Sequence, residues 1–253
     1  MSNLQIVAVA DGEPSQPYLV RGFGAFKDSC RKYGHEPIIL GWGDRWRGLG
    51  SKPKLLKRAI EDHTITAPYI LFMDAYDTCL AQPPEYILRA FQDKMIDGAD
   101  QAQILWNGER NCFPRQEWAS HHPETPFPYR YFNSGMSIGA TEAYHAMLSQ
   151  IGLDQRPDDH QKPDGSWHHE NDQDYLMDKF LHGQCSADEP VMAIDSKADV
   201  FQTLVGETMD TFELLPHKGI RNRLTGTYPA AWHWNGSAKT NGTMEPILQH
   251  LRL

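Results

Sequence analysis

The sequence YILFMDAYD, at residues 69–77, passes from five apolar residues directly into a turn that carries two aspartates. A short apolar run bounded by turn residues is typical of a strand buried on both faces of a sheet. The runs LQIVAVA at residues 4–10 and PIIL at residues 37–40 have the same character, and helical spacing lies between the runs, at residues 18–33 and 54–62. The order β-α-β-α-β predicts an α/β fold with a mostly parallel central sheet flanked by helices, whose ligands bind beyond the carboxyl ends of the strands.

The rest of the chain continues this pattern without an internal repeat or a linker that would divide it. A proline-rich and aromatic loop at residues 111–132 is predicted to be a binding element, because plain connections are rarely so long. The polar segment 154–170 is predicted to be a mobile loop. Residues 1–253 are therefore expected to form a single domain. Further helices are expected at residues 84–94, 141–151, 172–181 and 244–251, and further strands at residues 103–106, 137–140, 191–194, 200–204 and 231–234.

The composition favours a soluble, cytoplasmic protein that does not enter a membrane. No apolar run approaches the roughly 18 residues that cross a bilayer, and residues 1–11 lack the basic flank and long apolar stretch of a signal peptide. The net charge of −9 argues against non-specific coating of nucleic acid, although the basic cluster at residues 45–58 is compatible with a local groove as well as with a solvated surface. The cysteines contain no CxxC pair and are expected to be reduced core thiols: Cys30, Cys79, Cys112 and Cys185.

Asp74 and Asp77 leave the end of a predicted buried strand three positions apart. A tight turn there aims both carboxylates at one point, and Mg²⁺ or Mn²⁺ commonly bridges such carboxylates to a substrate diphosphate. The alternative is that the two acids cap a following helix. The spacing alone leaves both interpretations open.

His233 lies in the segment WHWNGS, residues 232–237, at the end of the last predicted strand and before a turn of small residues. Imidazole is a common neutral metal ligand, and a glycine-containing turn exposes backbone N–H groups to phosphate oxygens. The alternative is a core histidine between two tryptophans. Together with the two aspartates, His233 completes a candidate metal site.

These motifs belong to a longer series of segments that resembles the glycosyltransferase domain of the procollagen lysyl hydroxylase family. The resemblance covers nearly the whole chain, implies a GT-A-like single domain, and suggests a small stand-alone bacterial or viral relative. In order, the matching segments are Val9-Ala10, Leu40-Gly41-Trp42-Gly43 with Trp46-Arg47-Gly48, Lys52-Pro53-Lys54-Leu55-Leu56-Lys57, Asp74-Ala75-Tyr76-Asp77, Asn133-Ser134-Gly135 with Ile138-Gly139, Asp172-Gln173, Asp195, Phe201-Gln202, Arg221-Asn222, and His233 with Asn235-Gly236 and Lys239.

The resemblance implies roles for individual residues. The DxxD acids and the late histidine would bind Mn²⁺, or Mg²⁺, together with the donor diphosphate. The alternatives are core positions for the aromatic residues, surface positions for the lysines and a simple turn for the Asn-Ser-Gly segment. The implied metal ligands are Asp74, Asp77 and His233, and the implied donor-binding residues are Tyr76 against uridine, Trp46, Lys52, Asn133, Ser134, Gly135, Asn235, Gly236 and Lys239.

The sequence departs from the family at residues 168–174, where HHENDQD replaces a run of aspartates. The last aspartate of that run is kept as Asp172, which the resemblance places near the anomeric carbon. An inverting reaction also needs a base, for which Asp172, Asp174 and Glu170 all stay open, although the resemblance favours retention. Glu109, in the segment WNGE, is a further candidate for contact with the acceptor.

The expected function is transfer of a hexose, glucose or galactose, from a UDP-sugar to a hydroxyl acceptor. Residues 1–80 would form the nucleotide-binding half, and residues 81–253 the half for the sugar and acceptor with the metal-binding histidine. The acceptor is expected to be either a hydroxylysine-type protein or glycan, or a hydroxymethylated DNA base. The alternatives are a non-catalytic module that binds nucleotide sugars and a metal-dependent nucleotide-sugar phosphohydrolase.

Overall fold

The computed structural model describes residues 3–97, 102–183 and 190–253. Its helices are α1 (Pro17–Lys32), α2 (Ser51–Glu61), α3 (Pro84–Asp97), α4 (Thr141–Gln150), α5 (Asp172–His182) and α6 (Met244–Leu251). Its strands are β1 (Leu4–Val9), β2 (Ile38–Leu40), β3 (Tyr69–Met73), β4 (Thr78–Leu80), β5 (Ile104–Glu109), β6 (Tyr131–Ala140), β7 (His160–Gln161), β8 (Trp167–His168), β9 (Met192–Asp195), β10 (Phe201–Thr203), β11 (Phe212–Leu215), β12 (Gly219–Asn222) and β13 (Ala231–His233).

A six-stranded central sheet has the order β2-β1-β3-β6-β5-β9. Strand β6 runs antiparallel to both of its neighbours, and the other five strands share one direction. The predicted α/β fold with a mostly parallel sheet between helices is therefore confirmed. The apolar run at residues 69–73 became β3 with the predicted bounds.

Both faces of the central sheet are covered by helices, which explains the unbroken apolar runs. In β3, Ile70 and Phe72 face the core formed with α2, α4 and α5, whereas Leu71 and Met73 face the core formed with α1 and α3. Side chains alternate between the two faces of a strand. A strand with helices on both sides therefore needs apolar residues at every position.

A second sheet, with the order β10-β13-β4, positions the end of β13 beside the acidic turn. Strand β4 begins directly after Asp77 and pairs antiparallel with β13, so that Thr78 lies opposite His233. The backbone N–H of Trp234 donates to the carbonyl of Asp77 at 2.8 Å. Strand β4 was not predicted from the sequence. It is nevertheless the element that joins the two candidate metal-binding motifs.

Strand β6 is longer than the predicted strand at residues 137–140. The pairing of β6 with β5 shifts register between Trp106 and Asn107, whose partners are Ser137 and Asn133. The segment Asn133-Ser134-Gly135 therefore lies inside a strand at a bulge. The alternative of a simple turn for this segment is wrong.

The segment 154–170 contains the antiparallel β7–β8 hairpin, in which His160 pairs with His168. The sequence pattern did not predict this hairpin or the β11–β12 hairpin. The loop at 111–132 contains a short 3₁₀ helix at Gln116–His121.

Cys30, Cys79 and Cys112 are free and buried, as predicted, and burial raises the pKa of the Cys30 thiol to about 12. Cys185 lies outside the described residues. Among the helices within residues 3–97, 102–183 and 190–253, none is both long enough and apolar enough to cross a bilayer.

Candidate active site

The side chains of Asp74, Asp77 and His233 converge where the central sheet meets the second sheet. One ligand atom from each lies within 4.8 Å of the others, and His233 Nε2 is 3.5 Å from Asp77 Oδ2 and 3.8 Å from Asp74 Oδ2. The turn leads into strand β4, so the alternative that the two acids cap a helix is wrong. Two carboxylates and one imidazole form a donor set that suits a hard or borderline divalent cation.

Gly135 makes room for the imidazole of His233. A Cβ atom at this position would lie 2.1 Å from His233 Cε1, and the carbonyl of Gly135 accepts a hydrogen bond from the backbone N–H of Asp74 at 2.8 Å. Only glycine permits so close an approach. The structure therefore brings Gly135 to the three candidate ligands and gives it a steric role beside His233.

Two lysines neutralise the carboxylates of this cluster. Lys52 Nζ is 2.8 Å from Asp74 Oδ1 and 3.0 Å from Asp172 Oδ2, and Lys239 Nζ is 2.5 Å from Asp77 Oδ2. Burial acts to lower the pKa of Lys52, but the carboxylates of Asp172 and Asp74 outweigh burial and raise it. The alternative that these lysines are solvated surface charges is wrong.

The two aspartates respond differently to the same surroundings. Burial raises the pKa of Asp74, and this effect exceeds the opposing effect of Lys52. Burial also acts to raise the pKa of Asp77, but His233 and Lys239 together hold it well below its usual range. Asp77 is therefore the more firmly ionised of the two carboxylates.

Glu109 is buried at the centre of a network of side-chain amides. Its Oε1 accepts from Gln173 Nε2 at 2.8 Å and from Asn133 Nδ2 at 3.2 Å, and its Oε2 accepts from Asn235 Nδ2 at 2.9 Å. Burial raises the pKa of Glu109 to about 7 despite these hydrogen bonds. The group therefore exchanges its proton near neutral pH, where general acids and bases work best.

Two cavities meet at the acidic cluster. A glutamate cavity of 450 Å³ includes Glu109, Asp172 and Gln173 in its lining, and a tyrosine cavity of 320 Å³ includes Asp11 and Tyr76. The two cavities share five lining residues, so an elongated ligand can occupy both with its centre beside the candidate cation site. The shared residues are Leu49, Lys52, Asp74, Asp77 and Lys239.

Residues 1–245 match the family model described as the PLOD GT domain. The chain belongs to the PLOD GT domain family. Among curated proteins it is similar to procollagen-lysine,2-oxoglutarate 5-dioxygenase 1 of Mus musculus, with 28% identity over 249 residues that cover 94% of this chain. It is also similar to the multifunctional procollagen lysine hydroxylase and glycosyltransferase LH3 of Homo sapiens, with 26% identity over 253 residues that cover 93% of this chain. The chain spans about 30% of the length of both relatives.

Among solved structures, the comparison finds glycosyltransferases. One is involved in glycosylation of the major capsid of PBCV-1, with 9% identity, a TM-score of 0.48 and 98% of each chain covered. Another is the galactosyltransferase LgtC in complex with donor and acceptor sugar analogs, with 13% identity, a TM-score of 0.49, and 98% of this chain and 95% of that chain covered.

The aromatic residues predicted from the resemblance to the PLOD GT domain family lie at the tyrosine cavity. The hydroxyl of Tyr76 is 2.8 Å from Asp11 Oδ1 and from the Gly12 carbonyl oxygen, and its ring packs against Phe23 with centroids 5.5 Å apart. Trp46 is 40% exposed, so the alternative of a core position is wrong for this residue. Trp46 also lines an outer cavity of 520 Å³ beyond the tyrosine cavity.

The departure from the PLOD GT domain family at residues 168–174 has a defined structure. Asp172 is the first residue of α5 and lines the glutamate cavity, whereas the Asp174 carboxylate is bound by Arg115 Nε at 2.7 Å and Nη2 at 2.9 Å. Asp174 is not among the residues that line this cavity. His168 lies 3.1 Å from a Glu170 oxygen and His169 lies 2.9 Å from an Asp159 oxygen, so the two histidines face different partners.

Gln173 is a part of the site that sequence reasoning did not select. Besides binding Glu109, its Oε1 accepts from the backbone N–H of Ser134 at 3.2 Å. Asn235 also holds backbone, since its Oδ1 accepts from the N–H groups of Leu204 and Val205 at 3.1 and 3.0 Å. The available signal was the segment Asp172-Gln173, which stands among those that resemble the procollagen lysyl hydroxylase family.

Proposed function

We propose that this chain is a metal-dependent glycosyltransferase that moves a hexose, glucose or galactose, from a UDP-sugar to a hydroxyl group of an acceptor. One observation carries the proposal: the Asp74, Asp77 and His233 cluster stands at the junction of two cavities. A nucleotide sugar has its diphosphate in the middle, between a nucleoside and a sugar. Membership of the PLOD GT domain family supports the same chemistry.

The proposed cation is Mn²⁺ or Mg²⁺, held by the two aspartates and the histidine. When bound, it supplies Lewis-acid stabilisation of the departing diphosphate oxygens. Lys239, which already lies against Asp77, adds fixed positive charge on the same side. Asn235 and Gly236 begin the short 3₁₀ helix that carries Lys239, so we assign this turn to the phosphates.

The nucleoside is proposed to occupy the tyrosine cavity, against Tyr76 and near Trp46, and the sugar to occupy the glutamate cavity. In this proposal residues 1–80, with strands β1 to β4, are the nucleotide-binding half, and residues 81–253 are the half that binds sugar and acceptor. Asn133 and Ser134 lie on the sugar side with Gly135, because all three line the glutamate cavity.

Asp172 is proposed to act at the anomeric carbon. Lys52 fixes this carboxylate 3.0 Å from its own Nζ and is bound at the same time to Asp74. A carboxylate so placed stabilises the positive charge that develops on the sugar as its bond to phosphate breaks. Asp174 is bound by Arg115 outside the cavity lining, so we assign it a supporting position at the start of α5.

Glu109 is proposed to contact the acceptor and to exchange a proton with its hydroxyl group. The raised pKa of about 7 gives this carboxyl group the basicity for the task at neutral pH. Phe113, which is 56% exposed and lines the same cavity, offers an apolar contact at the entrance. A hydroxylysine-type protein or glycan and a hydroxymethylated DNA base both present a suitable primary or secondary hydroxyl group. A cytoplasmic location stays a prediction from the sequence.

The first test is a donor screen with purified protein, Mn²⁺ or Mg²⁺, and UDP-, GDP- and TDP-sugars. We expect release of UDP and free sugar from one donor, and its loss on chelation. Cleavage between the phosphates would instead identify a phosphohydrolase, and metal-dependent binding without turnover with any acceptor would identify a binding module.

The second test uses Asp77→Asn, which keeps the size of the side chain and removes its charge. We expect loss of metal-dependent UDP binding in calorimetry, because the most firmly ionised ligand is gone. Asp93→Asn is the matched control, since Asp93 is exposed on α3 and lines neither cavity. Unchanged UDP binding by Asp77→Asn would refute the site.

A further inference from the structure

The loop between β2 and α2, residues 41–50, carries side chains that line the proposed donor site. Trp46 lines the tyrosine cavity, and Leu49 lines both the tyrosine and glutamate cavities. Residues 42–47 are all exposed, although Trp42 stacks on the core residue Phe23 with ring centroids 5.7 Å apart. This Trp46 loop is therefore anchored on the core near its start, and its second half, with Trp46, is held by contacts with another segment of the chain.

Asp159, in the β7–β8 hairpin region, supplies one such contact. Its backbone N–H donates to the carbonyl of Arg47 at 2.9 Å, and its Oδ1 accepts from the backbone N–H of Glu170 at 2.7 Å. Gly48 packs against the same carboxylate: a Cβ atom there would lie 2.2 Å from Oδ1, and its φ is +100°. Asp159 therefore fastens the base of the hairpin and the Trp46 loop to one another.

Asp158 supplies the second contact. Its Oδ2 is 3.1 Å from Arg47 Nη1, and its Oδ1 is 3.1 Å from Lys54 Nζ. Lys54 and Arg47 hold the pKa of Asp158 below its usual range, so it is ionised at neutral pH. Lys54 also donates to the carbonyl of Arg156 at 2.8 Å. Asp158 therefore contacts the Trp46 loop through the side chain of Arg47, and Asp159 contacts the loop through the backbone of Arg47.

The hairpin also connects the Trp46 loop to the start of α5. A Cβ atom on Gly50 would lie 2.6 Å from Glu170 Cγ, so the end of the loop packs directly on Glu170. Asp172, proposed to act at the anomeric carbon, follows two residues later. Contacts that fix the hairpin therefore fix both walls of the donor site, although neither Asp158 nor Asp159 lines the tyrosine or glutamate cavity.

We infer that Asp158 and Asp159 are positioning residues for the donor nucleotide, which act by holding the Trp46 loop over the tyrosine cavity. The inference rests on the proposed function, because it takes the tyrosine cavity as the nucleoside site. It assigns the β7–β8 hairpin to donor affinity rather than to the transfer step.

The test compares Asp159→Ala with Asp164→Ala in the full chain. Asp164 lies in the same hairpin and is exposed, and its carboxylate accepts only from Ser166 N–H and Oγ–H among the described hydrogen bonds. We expect Asp159→Ala to weaken Mn²⁺-dependent UDP binding about tenfold, which corresponds to the loss of the hydrogen bond from Glu170 N–H to a charged group. The contact of Asp159 with the exposed His169 is also lost, and exposed pairs of this kind contribute little. The donor KM should rise equally, kcat should stay within twofold, and Asp164→Ala should match the unmodified chain.

Amide hydrogen exchange reports on the loop without any ligand. Residues 42–50 should exchange faster in Asp159→Ala than in Asp164→Ala, since Gly48 loses the carboxylate against which it packs and the hairpin loses its bond to Glu170 N–H. Asp158→Asn is the second variant, to be used if Asp159→Ala does not fold. It weakens the exposed ion pair with Arg47 and should also give faster exchange at residues 42–50 and weaker UDP binding. Unchanged exchange in the loop, or a fall in kcat with unchanged UDP affinity, would overturn the inference.

The outcomes separate this inference from the proposed function. Metal-dependent UDP binding that Asp77→Asn abolishes and Asp159→Ala leaves untouched would reject the positioning role alone. Absence of UDP binding by the unmodified chain would reject the nucleotide site and the positioning role together.

Discussion

Lys52→Met replaces the buried ammonium between Asp74 and Asp172 with a neutral side chain of similar length. The Lys52 side chain is only 8% exposed, and both of its contacts are 3.0 Å or shorter. Removing one partner of a buried ion pair costs about 3–5 kcal/mol because the remaining charge is left uncompensated. Asp74 is 23% exposed, so water screens part of that cost, and the lower end of about 3 kcal/mol applies.

The assay is thermal unfolding with a chelator present at pH 7. For a chain of this length, each kcal/mol lowers the midpoint by about 2–4 °C, so Lys52→Met should unfold roughly 6–12 °C below the unmodified protein. The control is Lys57→Met on the same helix, because Lys57 pairs with Glu61 four residues away in a more exposed position, and such pairs contribute about 0.5 kcal/mol or less. Adding Mn²⁺ should reduce the difference in unfolding midpoint between Lys52→Met and the unmodified protein, since a cation at Asp74 replaces part of the lost positive charge. Equal falls in the unfolding midpoint for Lys52→Met and Lys57→Met would refute the stabilising role of Lys52 between the two carboxylates.

Two further predictions concern neighbouring groups. Glu109→Gln should flatten the dependence of the free energy of unfolding on pH. The folded protein raises the pKa of Glu109 from 4.5 to about 7. The contribution of Glu109 to stability is therefore complete below pH 4.5 and is lost as the pH rises through 7. Denaturant unfolding between pH 4.5 and pH 8 checks this, and an equally steep fall in the variant would contradict it. Gly135→Ala should weaken Mn²⁺ binding by roughly 10–100-fold by displacing the imidazole of His233. Titration calorimetry measures this against Gly24→Ala, whose Cβ would meet nothing within 4 Å, and equal affinities would exclude the steric role.

The apolar strands and the acidic turn were predictable because their signals are local. Buried strands read as unbroken apolar runs, so β1 and β3 were found with nearly their true bounds. Strand β6 was predicted too short because polar and small residues interrupt its pattern at Asn133, Ser134 and Gly135. These residues line the glutamate cavity and do not pack in an apolar core. Because the cavity needs polar or small residues there, this part of β6 lacks the apolar pattern by which a buried strand is predicted.

The side-chain partners were not predictable because they join distant parts of the chain. The pairing of Asp174 with Arg115 takes a candidate base out of the cavity lining, and no sequence pattern links the two positions. The expectation that Lys52 lies beside a diphosphate stays a prediction, and the sequence did not indicate that Lys52 also lies between two carboxylates. The resemblance gave the residue types at the site, and only the fold shows which of them are already paired.

The pairing of β4 with β13, which sets Thr78 opposite His233, has a consequence for how the protein folds. Asp77 and His233 are separated by most of the sequence, so the pairing of β4 with β13 closes a long loop of chain. Contacts between distant segments form late because the entropy of closing a long loop must be overcome first. A chain in which β4 and β13 are unpaired therefore lacks the complete set of candidate ligands, so the proposed cation would bind the folded protein and not the unfolded chain. By mass action, divalent metal in the surrounding solution would then raise the stability of the folded state.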